Sequence, residues 1–244
     1  MDLQQAYANI PPITKTLVTG AMVITLAGNF GLLPVRALIL DFYDVWYNFA
    51  IWRLVTSVFF FGKLGFPFLI NVYFLYNYSM RIETAGLYDR QPADYVFMLL
   101  VHWVTLLVIG YFLALPIIGI PLVLAIMHVW CNVNPDVPVR FWFGLTFKAL
   151  YLPWVLLVFN ILTGGTGMME LLGILTGHVF YFIKYKWPEL GGPSLLETPQ
   201  FLREFFPNAA GGVAGFGEAP ASRQPQAPRD PQGFAGRGHV LGNN

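Results

Sequence analysis

Charge is scarce in this chain. Of 244 residues, 11% are Asp, Glu, Lys or Arg, against 56% hydrophobic and 17% aromatic. A soluble domain is roughly a quarter charged, so a water-exposed globule is excluded and a membrane-embedded body is expected. Cysteine is nearly absent. Cys131 alone excludes an internal disulfide framework and a multi-cysteine metal site. A formal net charge of +1, with no basic stripe, argues against a nucleic-acid partner. No Gly-x-x-x-x-Gly-Lys-Ser/Thr string is present to cradle nucleotide phosphates. Neither His-x-x-x-His nor His-Glu-x-x-His occurs, and no cofactor or metal is expected. The N-terminus lacks a basic n-region and a small-residue cleavage site, so its first apolar run is expected to stay as a signal-anchor. Leu241-Gly242-Asn243-Asn244 is neither a lumenal retention signal nor a prenylation box.

What the chain does have is long apolar runs. Crossing a bilayer core takes about 20 apolar residues as a helix. Six runs of that order are expected to span, at residues 13–33, 64–80, 94–113, 116–132, 141–162 and 168–185. Pro34, Asp89-Arg90-Gln91-Pro92, Asn134-Pro135-Asp136-Val137-Pro138 and Gly164-Gly165-Thr166-Gly167 punctuate them. An even number of spans puts both termini on one side. Lys15, Arg81, Arg90, Arg140, Lys148, Lys184 and Lys186 then fall at that side's ends, against Arg36, Arg53 and Lys63 opposite. The excess of positive charge assigns the termini to the cytosol. The expected organisation is a cytosolic arm (1–12), a membrane domain (13–187) and a disordered cytosolic tail (188–244). The tail is rich in Gly, Pro, Ala, Ser and Gln and has too little apolar surface to fold alone, apart from a short amphipathic stretch at 201–206.

The loop between the first two runs holds the most informative stretch. At helical spacing Asp41, Asp44 and Asn48 share one face of residues 41–56, while Phe42, Trp46, Phe49 and Trp52 share another. This is the pattern of a helix lying in the membrane interface. Trp52-Arg53 is the candidate membrane-engaging site, with Arg53 bonding either lipid headgroups or loop carbonyls. Asn71, Tyr73, Asn77 and Ser79 on the second run are expected to line a polar groove.

Gly173 and Gly177, four residues apart in the sixth run, are candidate close-packing positions for a neighbouring helix. His178 follows them. A histidine inside a span is costly and is a functional candidate, here as the general base of an intramembrane protease. Yet the serines are Ser57, Ser79, Ser194 and Ser222, none of them in the fourth run, and no Gly-x-Ser-x string lies in any span. Cys131 sits at a different depth from His178, and His102 and His128 occupy the third and fourth runs. Structural or polar-cavity histidines are therefore expected, and no catalytic residue. Near the C-terminus, Phe234, Gly236, Gly238 and Leu241 form a candidate linear docking motif, in which glycines allow close backbone approach and the Phe and Leu fill pockets.

Taken in order, several strings resemble the derlin family. They are Asn9-Ile10-Pro11-Pro12-Ile13-Thr14-Lys15, Ile51-Trp52-Arg53-Leu54-Val55-Thr56-Ser57, Phe59-Phe60-Phe61-Gly62, Phe141-Trp142-Phe143-Gly144, Tyr151-Leu152-Pro153-Trp154 and Gly173…Gly177. The resemblance covers residues 5–190 and, separately, the tail motif. It implies an all-α, six-transmembrane-helix rhomboid-like fold in the endoplasmic reticulum membrane, without protease activity. Trp52-Arg53 would be the rhomboid-type Trp-Arg motif, engaging bilayer and client chains, and His178 would lack its serine partner. The Phe234…Leu241 segment looks like the SHP box that docks valosin-containing protein, a cytosolic AAA ATPase. The implied function is non-catalytic retrotranslocation of misfolded proteins for ubiquitin-proteasome degradation. The implied partners are that ATPase, membrane ubiquitin ligases, misfolded clients, the lipid bilayer and further derlin copies, with no nucleic acid. The alternatives are an active rhomboid-type protease, or a small-solute channel or transporter. As mechanism, a short second span and the interfacial helix are expected to thin the bilayer and lower the cost of moving polar chain across it.

Overall fold

The computed structural model describes residues 3–84, 87–89, 91–140 and 144–207. Helices dominate it. A short α1 (Leu3–Ala8) precedes α2 (Pro12–Asn29). The first loop holds α3 (Val35–Leu38), α4 (Phe42–Tyr47) and α5 (Trp52–Phe59). Then come α6 (Phe66–Thr84), α7 (Pro92–Leu113) and α8 (Gly119–Val133). A two-stranded hairpin, β1 (Pro138–Arg140) and β2 (Thr146–Lys148), leads through a 3₁₀ turn to α9 (Leu152–Leu162). α10 (Met168–Tyr181) runs through a π turn (Phe182–Lys186) into α11 (Trp187–Glu189), and α12 (Gln200–Phe205) closes the described chain.

Helix starts follow local chemistry. Pro12, Pro92 and Pro153 sit in first turns, where a missing N–H costs nothing. α7 stops at Ala114, in a left-handed conformation (φ 51°), just before Pro116. At 22 residues α7 is the one described helix that is both long and apolar enough to cross a bilayer on its own.

α8 is the hub. Every residue from Pro121 to Cys131 is buried, as expected of a helix apolar on all sides. α6, α7, α9 and α10 pack around it, with α5 at its start. α2 lies outside, against α5 and α6.

Polar clasps tie the helix ends at two levels. At one end the Glu83 carboxylate accepts from the Ile13 and Thr14 amides (3.0 and 2.8 Å), capping α2. Because Thr14 Oγ1 donates to Glu83 (2.7 Å), Ser79 donates to Thr14 (2.8 Å) and Tyr95 to Ser79 (2.6 Å). The starts of α2 and α7 thus meet the end of α6. Tyr88 joins Tyr185 at the same level (2.7 Å), and burial pushes the Tyr88 phenol well above its ordinary pKa. At the opposite end Asn29 donates to Gly62 and accepts from Leu64, while the Leu40 amide meets Pro116 and Ile118 meets Ser57. Lys15, Arg81, Lys184 and Lys186 lie at the first end, and Arg36, Arg53 and Lys63 at the second.

Four expectations need correction. The run at 141–162 is not one helix: it holds part of the hairpin, with Arg140 paired to Thr146 and Val139 to Phe147, and its helix begins only at Leu152. The second long helix is not the short one. α6 has 19 residues, while α8, α9 and α10 have 15, 11 and 14, about 17–23 Å at 1.5 Å per residue. The first-loop stretch is not one helix either, but α4 and α5 separated by a turn in which Phe49 takes φ 51°. Finally, the described body does not stop at 187. Residues 188–207 return to α7, where Thr198 donates to Asp94 and Leu202 is buried.

Candidate functional site

Arg53 is buried, and its guanidinium turns inward. Nη2 meets the Asp44 carboxylate at 2.5 Å and Nη1 donates to the Ile39 carbonyl at 3.3 Å. Asp44 also accepts from Asn48 Nδ2 at 2.8 Å. Three consecutive carbonyls at the C-terminal end of α3 are taken up by one face of α5: Trp52 Nε1 donates to Ala37 (3.2 Å), Thr56 to Leu38 (3.1 Å) and Arg53 to Ile39. These groups would otherwise be unpaired in an irregular loop. Of the two expected roles for Arg53, the geometry is that of bonding loop carbonyls, with Asp44 as a partner that sequence reading had placed only on a polar face. Trp103 Nε1 of α7 donates to Leu54 and fastens this unit to the body (2.9 Å).

The turn at Phe49 separates Trp52 from the other aromatics. Phe42, Trp46 and Phe49, with Ile51, Leu54, Val108 and Tyr111, line an apolar hollow of about 700 Å³ between α4 and α7. Phe42 packs edge-on against Tyr111, with ring centroids 5.2 Å apart. Trp46 and Phe49 stay largely exposed (69% and 76%). Trp52 keeps half its surface outside and holds α3.

Gly173 and Gly177 lie where α10 crosses α8. A Cβ on Gly173 would stand 2.5 Å from both the Pro121 carbonyl oxygen and the Leu124 Cβ, and one on Gly177 2.8 Å from the Ala125 carbonyl oxygen. Backbone is the obstacle, so only separating the helices would make room.

Beside that crossing, His178 Nδ1 lies 3.4 Å from His128 Nε2. His102 Nδ1 is 2.7 Å from the Met98 carbonyl and therefore carries the proton, which leaves Nε2 bare. That Nε2 and His128 Nδ1 are buried without a partner. The residue facing His178 is thus another imidazole. Ser57 bonds the Leu54 carbonyl, Ser79 the Thr14 network and Ser194 Glu197. A Gly-x-Ser-x string does occur at Gly192-Pro193-Ser194-Leu195, but after the last long helix. Cys131 is buried in the last turns of α8.

The four polar residues of α6 do not share a groove. Ser79 points to Thr14 and Tyr95, Asn77 bonds the Tyr73 carbonyl and Tyr73 is exposed. Asn71 instead borders a cleft of about 130 Å³ between α6 and α9, with Asn160, Thr163 and Glu170 completing its polar lining. Sequence reading missed Glu170. The available signal was a carboxylate inside an apolar run, in the first turn of α10, where the helix dipole favours it. Among the described residues no three His, Cys, Asp or Glu side chains converge as a metal site. Phe234, Gly236, Gly238 and Leu241 lie outside the described residues.

Comparison with known proteins places the chain in a family. The model of the Der1-like family matches residues 10–200. Derlin-1 of Homo sapiens is 42% identical over 240 residues, 97% of this chain and 94% of that protein. Derlin-1 of Drosophila melanogaster is 41% identical over the full length of both chains. Derlin-1 of Arabidopsis thaliana is 34% identical over 202 residues, covering 81% of this chain and 75% of its own.

Proposed function

The chain belongs to the Der1-like, or derlin, family, and on that premise we propose that it is a non-catalytic factor of the endoplasmic reticulum membrane that helps misfolded proteins cross to the cytosol for degradation. It spans the bilayer six times, through α2, α6, α7, α8, α9 and α10, with both termini cytosolic. The charge distribution supports this orientation, since Lys15, Arg81, Lys184 and Lys186 gather at the end assigned to the cytosol.

The observation that carries the reading is the braced first loop. Arg53 is held inside by Asp44 and Ile39, so the loop presents Trp46, Phe49 and Trp52 outward on a rigid frame. A rigid amphipathic unit set into the lumenal leaflet displaces acyl chains. The short α8, α9 and α10 act in the same direction, because helices shorter than the hydrocarbon core draw the two surfaces together. A charged side chain costs at least about 2.5–3.5 kcal/mol at the centre of a full-thickness bilayer. Thinning shortens that barrier, and Asn71, Asn160, Thr163 and Glu170 supply polar contacts at the α6–α9 cleft. In this reading Gly173 and Gly177 keep α10 close against α8, and His178 faces His128 where a protease would need a nucleophile. The pulling force comes from valosin-containing protein docked at Phe234, Gly236, Gly238 and Leu241, with membrane ubiquitin ligases and further derlin copies as partners.

Replacing Trp46 and Phe49 with serine, which leaves the Arg53–Asp44 pair and the Trp52–Ala37 bond untouched, tests the wedge. The expected result is slower clearance of a misfolded lumenal client at unchanged protein level and insertion. Normal clearance refutes the wedge. Deleting residues 233–244 is expected to abolish capture of the ATPase, and retained capture refutes the tail assignment.

A further inference from the structure

Residues 188–207 carry a feature that the proposed function does not use. α12 has the sequence Gln-Phe-Leu-Arg-Glu-Phe. At about 100° per residue, Phe201 and Phe205 share one face and Leu202 lies roughly a right angle away. Leu202 is buried at 7% exposure, whereas Phe201 and Phe205 stand out at 58% and 79%. Six residues are too few to hold a helix in water unaided. Its place is fixed by tethers instead. Thr198 donates to Asp94, Arg203 lies 3.9 Å from the same carboxylate, and Lys184 donates to the Leu196 carbonyl.

We propose that α12 is a membrane anchor, latched through Asp94 and laying Phe201 and Phe205 into the headgroup–acyl boundary of the leaflet on the cytosolic side. The inference rests on the membrane reading above. Both tethers sit at the ends of spanning helices. Asp94 is in the first turn of α7, and Lys184 is in the π turn that continues α10. Those are the levels at which the lipid-facing apolar surface gives way to headgroups, so the two phenylalanines extend that surface sideways. Gln200 and Glu204 form the polar edge of the helix, and Arg203 is drawn toward Asp94, away from the phenylalanine face. The occupant is therefore bilayer and not water. An exposed aromatic face with a polar rim is the composition that settles about 5–10 Å into this boundary.

The test uses the full chain, with Cys131 replaced by alanine, reconstituted into phosphatidylcholine–phosphatidylethanolamine vesicles. A nitroxide is placed in turn at Phe201→Cys, Phe205→Cys and Gln200→Cys, and its accessibility to oxygen and to a water-soluble nickel chelate is measured. At 201 and 205 oxygen is expected to dominate, and at 200 the chelate, a reversal across one helix. Trypsin cleavage after Arg203 is expected to be slow in vesicles and fast in the Phe201→Ser/Phe205→Ser and Asp94→Asn variants. Chelate-dominated access at all three positions in properly inserted protein overturns the anchor, as does spin–spin broadening that rises with protein density and marks a second copy as the occupant. A chain that fails to insert at all overturns the membrane reading itself, which separates the two failures.

Discussion

Removing the Asp44 carboxylate is the sharpest perturbation of the first loop. In the native protein the Arg53 guanidinium has two partners, Asp44 Oδ2 at 2.5 Å and the Ile39 carbonyl at 3.3 Å, while its Nε is already buried without one. Asp44→Ala leaves a cation, 8% exposed at its side chain, with one neutral acceptor. Breaking a buried ion pair by deleting one partner costs about 3–5 kcal/mol. The lost hydrogen bond to Asn48 adds about 1 kcal/mol. Arg53→Met removes the cation and keeps an apolar stem. The double variant is therefore expected to recover at least about 2 kcal/mol relative to the sum of the single changes, because matched removal of a buried pair is often close to neutral. Arg53→Lys gives no rescue, since a point-like ammonium cannot reproduce the fork that reaches Asp44 and Ile39 together. Stability is read by reversible unfolding in mixed micelles. Hydrogen exchange of the amides from 37 to 53 reports whether the loop opens first. Additive single-variant effects, within about 0.5 kcal/mol, would refute the coupling and with it the claim that Arg53 braces the loop.

Three further outcomes follow from the packing. Gly173→Ala is expected to destabilise by about 1–3 kcal/mol despite alanine's better helix propensity, since its Cβ meets the Pro121 carbonyl at 2.5 Å; a raised melting temperature would contradict it. Glu83→Gln replaces two carboxylate acceptors by one amide oxygen and should cost about 1.5–3 kcal/mol, with exchange rising first at the Ile13 and Thr14 amides. His178→Ala is expected to leave client clearance unchanged and to abolish no cleavage of a transmembrane test substrate. Cleavage by the native chain that the variant loses would establish a protease.

Much of the helical order is legible in hydropathy and punctuation. The third run, read as 94–113, is α7 but for its first two residues, because Pro92 and Ala114-Leu115-Pro116 mark both ends. The pairing of 138–140 with 146–148 was not legible. Phe141, Trp142, Phe143, Leu145 and Phe147 score as apolar whether they form helix or strand, and a run that short gives no period to separate the two. The single-helix reading of 41–56 failed for a related reason. Its spacing is compatible with a helix, but the break at Asn48-Phe49 is set by the Asn48 and Ala50 amides, which both bond the Asp44 carbonyl.

Composition alone makes this protein membrane-like, since 11% charge cannot solvate a globule of this size, and its long apolar runs make it helical. Its motifs were enough to show the family resemblance that the comparisons then established. Which groups meet was decided by tertiary structure alone. Hydrophobic spacing says which face is apolar, but it carries no distance between residues far apart in the chain. Arg53 with Asp44 and Ile39, His178 with His128, Asp94 with Thr198 and Arg203, and Glu83 with the start of α2 all depend on directed contacts, which only the packed helices bring within bonding range.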